Sequence, residues 1–266
     1  MNLTSPGRRQ SRQLDLRYDA STDSHLDWFE PRDIARDAPT ILFFYGGSWQ
    51  FGARQDYRFV AARLTALGYR VVIPDYRLFP ATTFPGFVED GARAFRWTQA
   101  RINAEGGNPA RIYLMGHSAG AQIAALLHYD AGYLGDKAGD ADSNTRPPAG
   151  LIGLSGPYDF LPLTREDLQP VFPEAVREAS QPIRFAGSPA PPALLLHGAA
   201  DRTVGPGNAK RLTRTARAGG NEVTLKLYER VGHVGLLLAL TRPLGWLAPV
   251  VDDVAQFIGS TGTPGP

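Results

Sequence analysis

The chain has 266 residues, no cysteine and a formal net charge of +2, with 43% hydrophobic and 20% charged residues. These proportions exclude a disordered chain, and the lack of cysteine excludes disulfides, thiolate nucleophiles, Fe–S clusters and cysteine zinc sites. Five histidines are too scattered for a His-rich metal site, and dispersed arginines leave no nucleic-acid footprint. No run of about 18 apolar residues occurs, so no membrane-spanning helix is expected. No apolar run follows Arg8 and Arg9, so no export signal is read and a soluble, cytoplasmic protein is expected. Neither a metal nor a cofactor is expected, and the composition leaves the oligomeric state open.

Residues 1–10 read as a flexible arm. Residues 12–18 and 25–30 alternate apolar with polar side chains and fit antiparallel strands. Residues 40–45 (TILFFY) are a continuous apolar run, as in a strand buried on both faces. The same signature recurs at 70–74, 111–115, 150–155, 193–197 and 224–228. Helical spacing falls between these runs: 57–67 with Phe59, Val60, Leu64 and Leu67, then 87–104 with Val88, Ala92, Phe95 and Ile102. Segments 119–128, 208–218 and 249–258 are further helix candidates. Alternating strand and helix predicts an α/β fold with a mostly parallel sheet covered on both faces. Residues 11–258 form one domain in this reading. Residues 132–148 read as a surface loop, the Pro-rich residues 157–192 as a cap-like excursion, and residues 259–266 as a disordered tail.

Gly116-His117-Ser118-Ala119-Gly120 matches G-x-S-x-G between a buried strand and a helix. Glycines on both sides let the chain turn sharply, which presents the Ser118 hydroxyl and aims the Ala119 N–H at developing negative charge. A serine hydroxyl needs a base. In this kind of turn the chain order is serine, acid, histidine. His25, His117 and His128 lie before or beside Ser118, and His197 precedes every convincing acid. His233, after the last strand, is the base candidate. Asp201, four residues beyond His197, is the acid candidate, suited to hold the His233 tautomer. Asp159 is the reserve, and Glu229 is too near His233 to reach across.

Tyr45-Gly46-Gly47-Ser48-Trp49 follows the first buried strand, where glycines let backbone N–H groups approach a substrate. With DYRLFP, GHSAG, HGAADRTV and VGH, this loop resembles the α/β-hydrolase fold over roughly residues 40–240. More narrowly it resembles hormone-sensitive-lipase-like esterases and kynurenine-formamidase-like hydrolases. The resemblance implies Ser118 as nucleophile, Asp201 as acid and His233 as base. It implies oxyanion donors from the backbone of Gly47, Ser48 and Ala119, with Asp75, Tyr76 and Arg77 as a structural brace. Tyr45 stands where that family usually has histidine, and is read here as a brace of the loop. Trp49, Phe51, His117, Tyr158, Phe160 and Leu161 are the candidate pocket residues. The excursion lacks an amphipathic lid helix, so the expected activity is hydrolysis of compact carboxylic esters. An arylformamidase would use the same groups, and a ligand-binding relative without catalysis would leave them idle.

Overall fold

The computed structural model describes residues 10–135 and 145–261. The expected arm, apart from Gln10, and the centre of the 132–148 loop lie outside those residues, as does the chain beyond Thr261. Among the described residues no helix is long and apolar enough to cross a membrane.

The two alternating segments become β1 (Gln10–Asp19) and β2 (Ser24–Pro31), paired antiparallel. The continuous apolar runs become β3 (Thr40–Phe44), β4 (Arg70–Pro74), β5 (Ile112–His117), β6 (Gly150–Leu154) and β7 (Ala193–Gly198). Every residue of these five strands is buried. That is why they lack alternation: helices cover both faces. β8 (Val223–Tyr228) closes the sheet, whose order is β1-β2-β4-β3-β5-β6-β7-β8. β2 meets β4 antiparallel, and every pair from β4 to β8 is parallel.

The helices are α1 (Arg58–Thr65), α2 (Gly86–Ala104), α3 (Ala119–Tyr129), α4 (Gly207–Ala218), α5 (His233–Leu238) and α6 (Val250–Thr261). Side chains three apart on a strand point to opposite faces. Tyr113 meets Phe257 of α6, whereas a Cβ on Gly116 would run into the Gly120 backbone of α3. The two helices therefore cover opposite faces of β5. α2 lies on the α3 side, where Gly91 fits among Ile123, Leu127 and Phe44.

The expected tail needs correction. α6 continues to Thr261, so residues 259–261 are helical and not a disordered tail. Tyr113 Oη shares a 2.8 Å hydrogen bond with Thr261 Oγ1, which fastens that end to the sheet. α5 carries no helix signal in the sequence: six residues that follow Gly232 and include Gly235 give no clear helical period.

The Pro-rich segment forms short 3-10 turns at Glu166–Leu168, Glu174–Val176, Glu178–Ser180 and Pro182–Arg184. With little regular structure, its backbone polar groups need other partners. Side-chain amides supply them. Gln122 Nε2 donates to the Ser180 carbonyl at 2.8 Å, and Gln181 Oε1 accepts from Phe160 N at 2.8 Å. Asn208 Oδ1 accepts from Tyr158 N and Asp159 N at 3.0 and 2.9 Å. Asn221 Nδ2 donates to the Ala186 and Ser188 carbonyls at 2.9 and 2.8 Å.

A buried ion network braces the other side. Arg54 Nε donates to Asp27 Oδ1 at 3.0 Å, while its other two guanidinium nitrogens pair with Asp75 and Asp15. Asp27 is completely buried and Arg54 nearly so.

Candidate active site

Ser118 stands between β5 and α3 with φ 55° and ψ −122°, a backbone conformation that L-residues rarely adopt. Its neighbours explain how the turn tolerates this. A Cβ on Gly116 would overlap the Gly120 carbonyl, and one on Gly120 would overlap the carbonyls of Phe44 and Tyr45. Both glycines of the motif are therefore demanded by backbone packing. The Ala119 N–H opens α3, where a helix offers it no internal acceptor.

His233 opens α5, and its Nδ1 lies 2.8 Å from Asp201 Oδ2. A carboxylate accepts, so Nδ1 carries the proton and Nε2 is left free to take one. Asp201 sits in the turn after β7, with Oδ1 accepting the N–H groups of Thr203 and Val204, both at 2.9 Å. Burial alone would raise its pKa. Hydrogen bonds from His197, His233 and Val204 outweigh burial and hold the carboxyl well below the usual range. Asp201 is thus a fixed anion facing His233.

His117 ties the serine turn to His233. Its Nε2 is 3.2 Å from the His233 carbonyl, and the two rings are 4.7 Å apart. The carbonyl can only accept, so His117 donates from Nε2. Burial, aided by the neighbouring His233, pushes the His117 pKa down to about 3.

After β3 the chain turns through Gly47, Ser48 and Trp49, with φ of 137°, 53° and 58°. Gly47 accepts from Gln50 N and Phe51 N through its carbonyl. A Cβ at Gly47 would strike the Phe51 backbone, so only glycine fits. Tyr45 is stacked between Tyr76 and Tyr57, at ring separations of 4.6 and 5.4 Å. Its hydroxyl donates to Asp75 Oδ1 at 3.2 Å, while Tyr76 donates to the Tyr45 carbonyl at 2.8 Å and Tyr57 to the Gly46 carbonyl at 3.2 Å. Burial raises the Tyr45 pKa, so the phenol remains a donor to Asp75. Replacing Tyr45 with phenylalanine removes one long hydrogen bond to the Asp75 carboxylate, which keeps Arg54 as its partner. The expected fall in kcat/KM is about tenfold at most; a hundredfold fall at unchanged Tm would make the hydroxyl part of the oxyanion site.

A cavity of about 190 Å³ opens over Ser118. Ser48, Trp49 and Phe160 line it, together with Pro157, Leu163, Leu168, Thr203, Val204 and Asn208. Trp49 is held by a 3.1 Å bond from Nε1 to Gln122 Oε1 and by edge-on packing against Phe172. Four expected pocket residues lie elsewhere. Phe51 points to solvent at 68% exposure. His117 is buried behind His233, and Leu161 is outside the lining. Tyr158 folds back over Gly153 and Gly156, with its ring where any Cβ of those glycines would go. The sequence offered no period across this segment from which side-chain direction could be read. Leu163, Leu168 and Val204 were missed for the same reason, although Val204 lies only three residues from Asp201.

The family model BD-FAE matches residues 26–215. The chain belongs to the BD-FAE family. Among its relatives is a probable isoprenylcysteine alpha-carbonyl methylesterase of Oryza sativa subsp. japonica, 30% identical over 83% of this BD-FAE chain. The alignment spans 56% of that relative's own length. A truncated form of a carbohydrate esterase from gut microbiota superposes with TM-score 0.82 at 18% identity, covering 98% of this chain and 99% of that one. Esterase 2 of Thermogutta terrifontis, phosphoramylated by tabun, superposes with TM-score 0.79 at 20% identity over the whole of both chains. The BD-FAE chain thus has the α/β-hydrolase fold, as its motifs imply.

Proposed function

We propose that this BD-FAE chain is a serine hydrolase of carboxylic esters with small to medium acyl groups. The observation that carries the reading is the 2.8 Å bond between His233 Nδ1 and Asp201 Oδ2, with the His233 ring packed on His117 next to a strained Ser118 that lines a cavity. The esterase names of the relatives agree with it.

Ser118 Oγ attacks the ester carbonyl carbon, and its proton passes to His233 Nε2. The carbonyl π electrons move onto oxygen, where the N–H groups of Gly47, Ser48 and Ala119 receive the charge. Collapse of this tetrahedral intermediate breaks the carbon–oxygen bond. The alcohol leaves with the proton from His233. Water then attacks the acyl-enzyme, giving its proton to His233; collapse frees the acid and returns that proton to Ser118. Asp201 stabilises the imidazolium in both halves without taking the proton itself. Fixed backbone donors of this kind favour each tetrahedral oxyanion without reorganisation. A cavity near 190 Å³ is below the usual range for drug-sized ligands, which favours compact substrates.

The test is a series of p-nitrophenyl esters of rising chain length, with N-formylkynurenine included, and a fluorophosphonate whose adduct is located by mass. The expected results are a maximum in kcat/KM at short to medium chains and an adduct on Ser118. No turnover and no adduct would remove the reading. N-formylkynurenine hydrolysed faster than every ester would replace it with an arylformamidase.

A further inference from the structure

His197 is the penultimate residue of β7, is fully buried, and has no role in the motif reading beyond its exclusion as the base. Its side chain reaches across the turn that carries Asp201. His197 Nε2 lies 2.8 Å from the Val204 carbonyl and 3.4 Å from Asp201 Oδ2. A carbonyl only accepts, so His197 carries its proton on Nε2. That one N–H therefore closes the acid turn at Val204 and flanks the same carboxylate oxygen that receives His233. Asp201 Oδ1 is taken by the Thr203 and Val204 N–H groups. His197 is thus the side chain that fixes the turn from the sheet side.

We propose that His197 is a positioning residue for the acid–base pair, holding the Asp201 turn through Val204 and sharing Asp201 Oδ2 with His233. This rests on the serine-hydrolase reading above. Its chemical consequence is specific. A donor beside Asp201 Oδ2 withdraws some of the charge that His233 would otherwise meet. Without it, the carboxylate attracts a proton on His233 more strongly. The titratable groups facing His233 from neighbouring elements are Asp201 after β7, His197 in β7 and His117 at the end of β5. Glu229 and Arg230, on its own loop, are exposed.

Three measurements test this. In the wild-type protein, nitrogen-15 NMR of the imidazole rings should show His197 protonated on Nε2; a proton on Nδ1 overturns the proposal without any variant. His197→Leu keeps a buried apolar side chain but removes the donor. Its kcat on p-nitrophenyl butyrate should fall about 10–100-fold, with KM little changed, because a loosened turn misplaces the base. The acid limb of kcat/KM should move to higher pH. His197→Gln, whose amide N–H reaches a similar position, should recover most of kcat and return the limb. Wild-type kcat and an unmoved limb in His197→Leu would refute the positioning role, as would a Gln variant no better than Leu. If the Leu variant does not fold, the Gln variant and the ring tautomer decide. A wild-type protein with neither ester turnover nor fluorophosphonate adduct would instead sink the serine-hydrolase reading, and the NMR result would still judge the His197 contact.

Discussion

Ser118→Ala is expected to lower kcat for a p-nitrophenyl ester by about 10⁵-fold or more while leaving Tm unchanged. In the proposed mechanism the loss is large because Ser118, His233 and Asp201 act as a unit, and what remains is binding and oxyanion stabilisation alone. The fold should not notice the change. Serine and alanine carry the same Cβ, so the strain of φ 55° is the same for both. The backbone bond from Ser118 N to the Leu154 carbonyl, 2.9 Å long, uses no side-chain atom. Steady-state turnover and a thermal melt on the same preparation check both halves. Retention of more than about one per cent of turnover would mean another group performs the attack.

Arg54→Met is expected to cause the largest loss of stability, about 3 kcal/mol, or roughly 6–12 °C in Tm. The three carboxylates around Arg54 contribute unequally. Asp15 is 71% exposed, and its pair is screened by water. Asp75 is partly exposed and keeps the Tyr45 hydroxyl and the Arg54 N–H. Asp27 is different: fully buried, it would keep only the Asp15 N–H and the more distant, half-exposed Arg58 at 3.3 Å. Removing Arg54 leaves a buried anion undercompensated. Methionine fills a similar volume, so lost packing adds little. Replacing Asp27 with leucine in the same chain should recover most of the loss, since the stranded charge goes with it. A urea titration of single and double variants reads this directly. A loss below about 0.5 kcal/mol for Arg54→Met would show that water compensates Asp27.

The sequence carried the sheet well because each central strand is buried on both faces, and that demand leaves an uninterrupted apolar run such as Thr40–Phe44. It carried the serine turn because packing admits only glycine at 116 and 120, so the constraint appears in the letters themselves. Asp201 and His233 followed from chain order. The wall of the cavity was another matter. Whether Phe160 or Tyr158 faces Ser118 depends on backbone direction in a segment of short turns, set by distant amides such as Asn208 and Gln181. Arg54 was equally silent: nothing local distinguishes a buried arginine that joins β1, β2 and the residue after β4 from one in solvent. His197 was passed over because chain order excluded it as the base, and chain order says nothing of support.

The four amide side chains that seat the Pro-rich segment divide this molecule into parts that can change at different rates. Gln122, Asn208 and Asn221 belong to or adjoin the scaffold, and with Gln181 they grip the segment's backbone near Phe160, at Ser180 and beyond. Leu163, Thr164, Arg165 and Leu168 lie on the span between those grips, and all four face the cavity. Backbone anchoring is indifferent to which side chains the span carries. Substitutions there alter the shape offered to a substrate while the elbow, the acid turn and the sheet stay as they are. A lineage can therefore reshape the cavity along this one stretch of chain without rebuilding the turns around Ser118, Asp201 and His233.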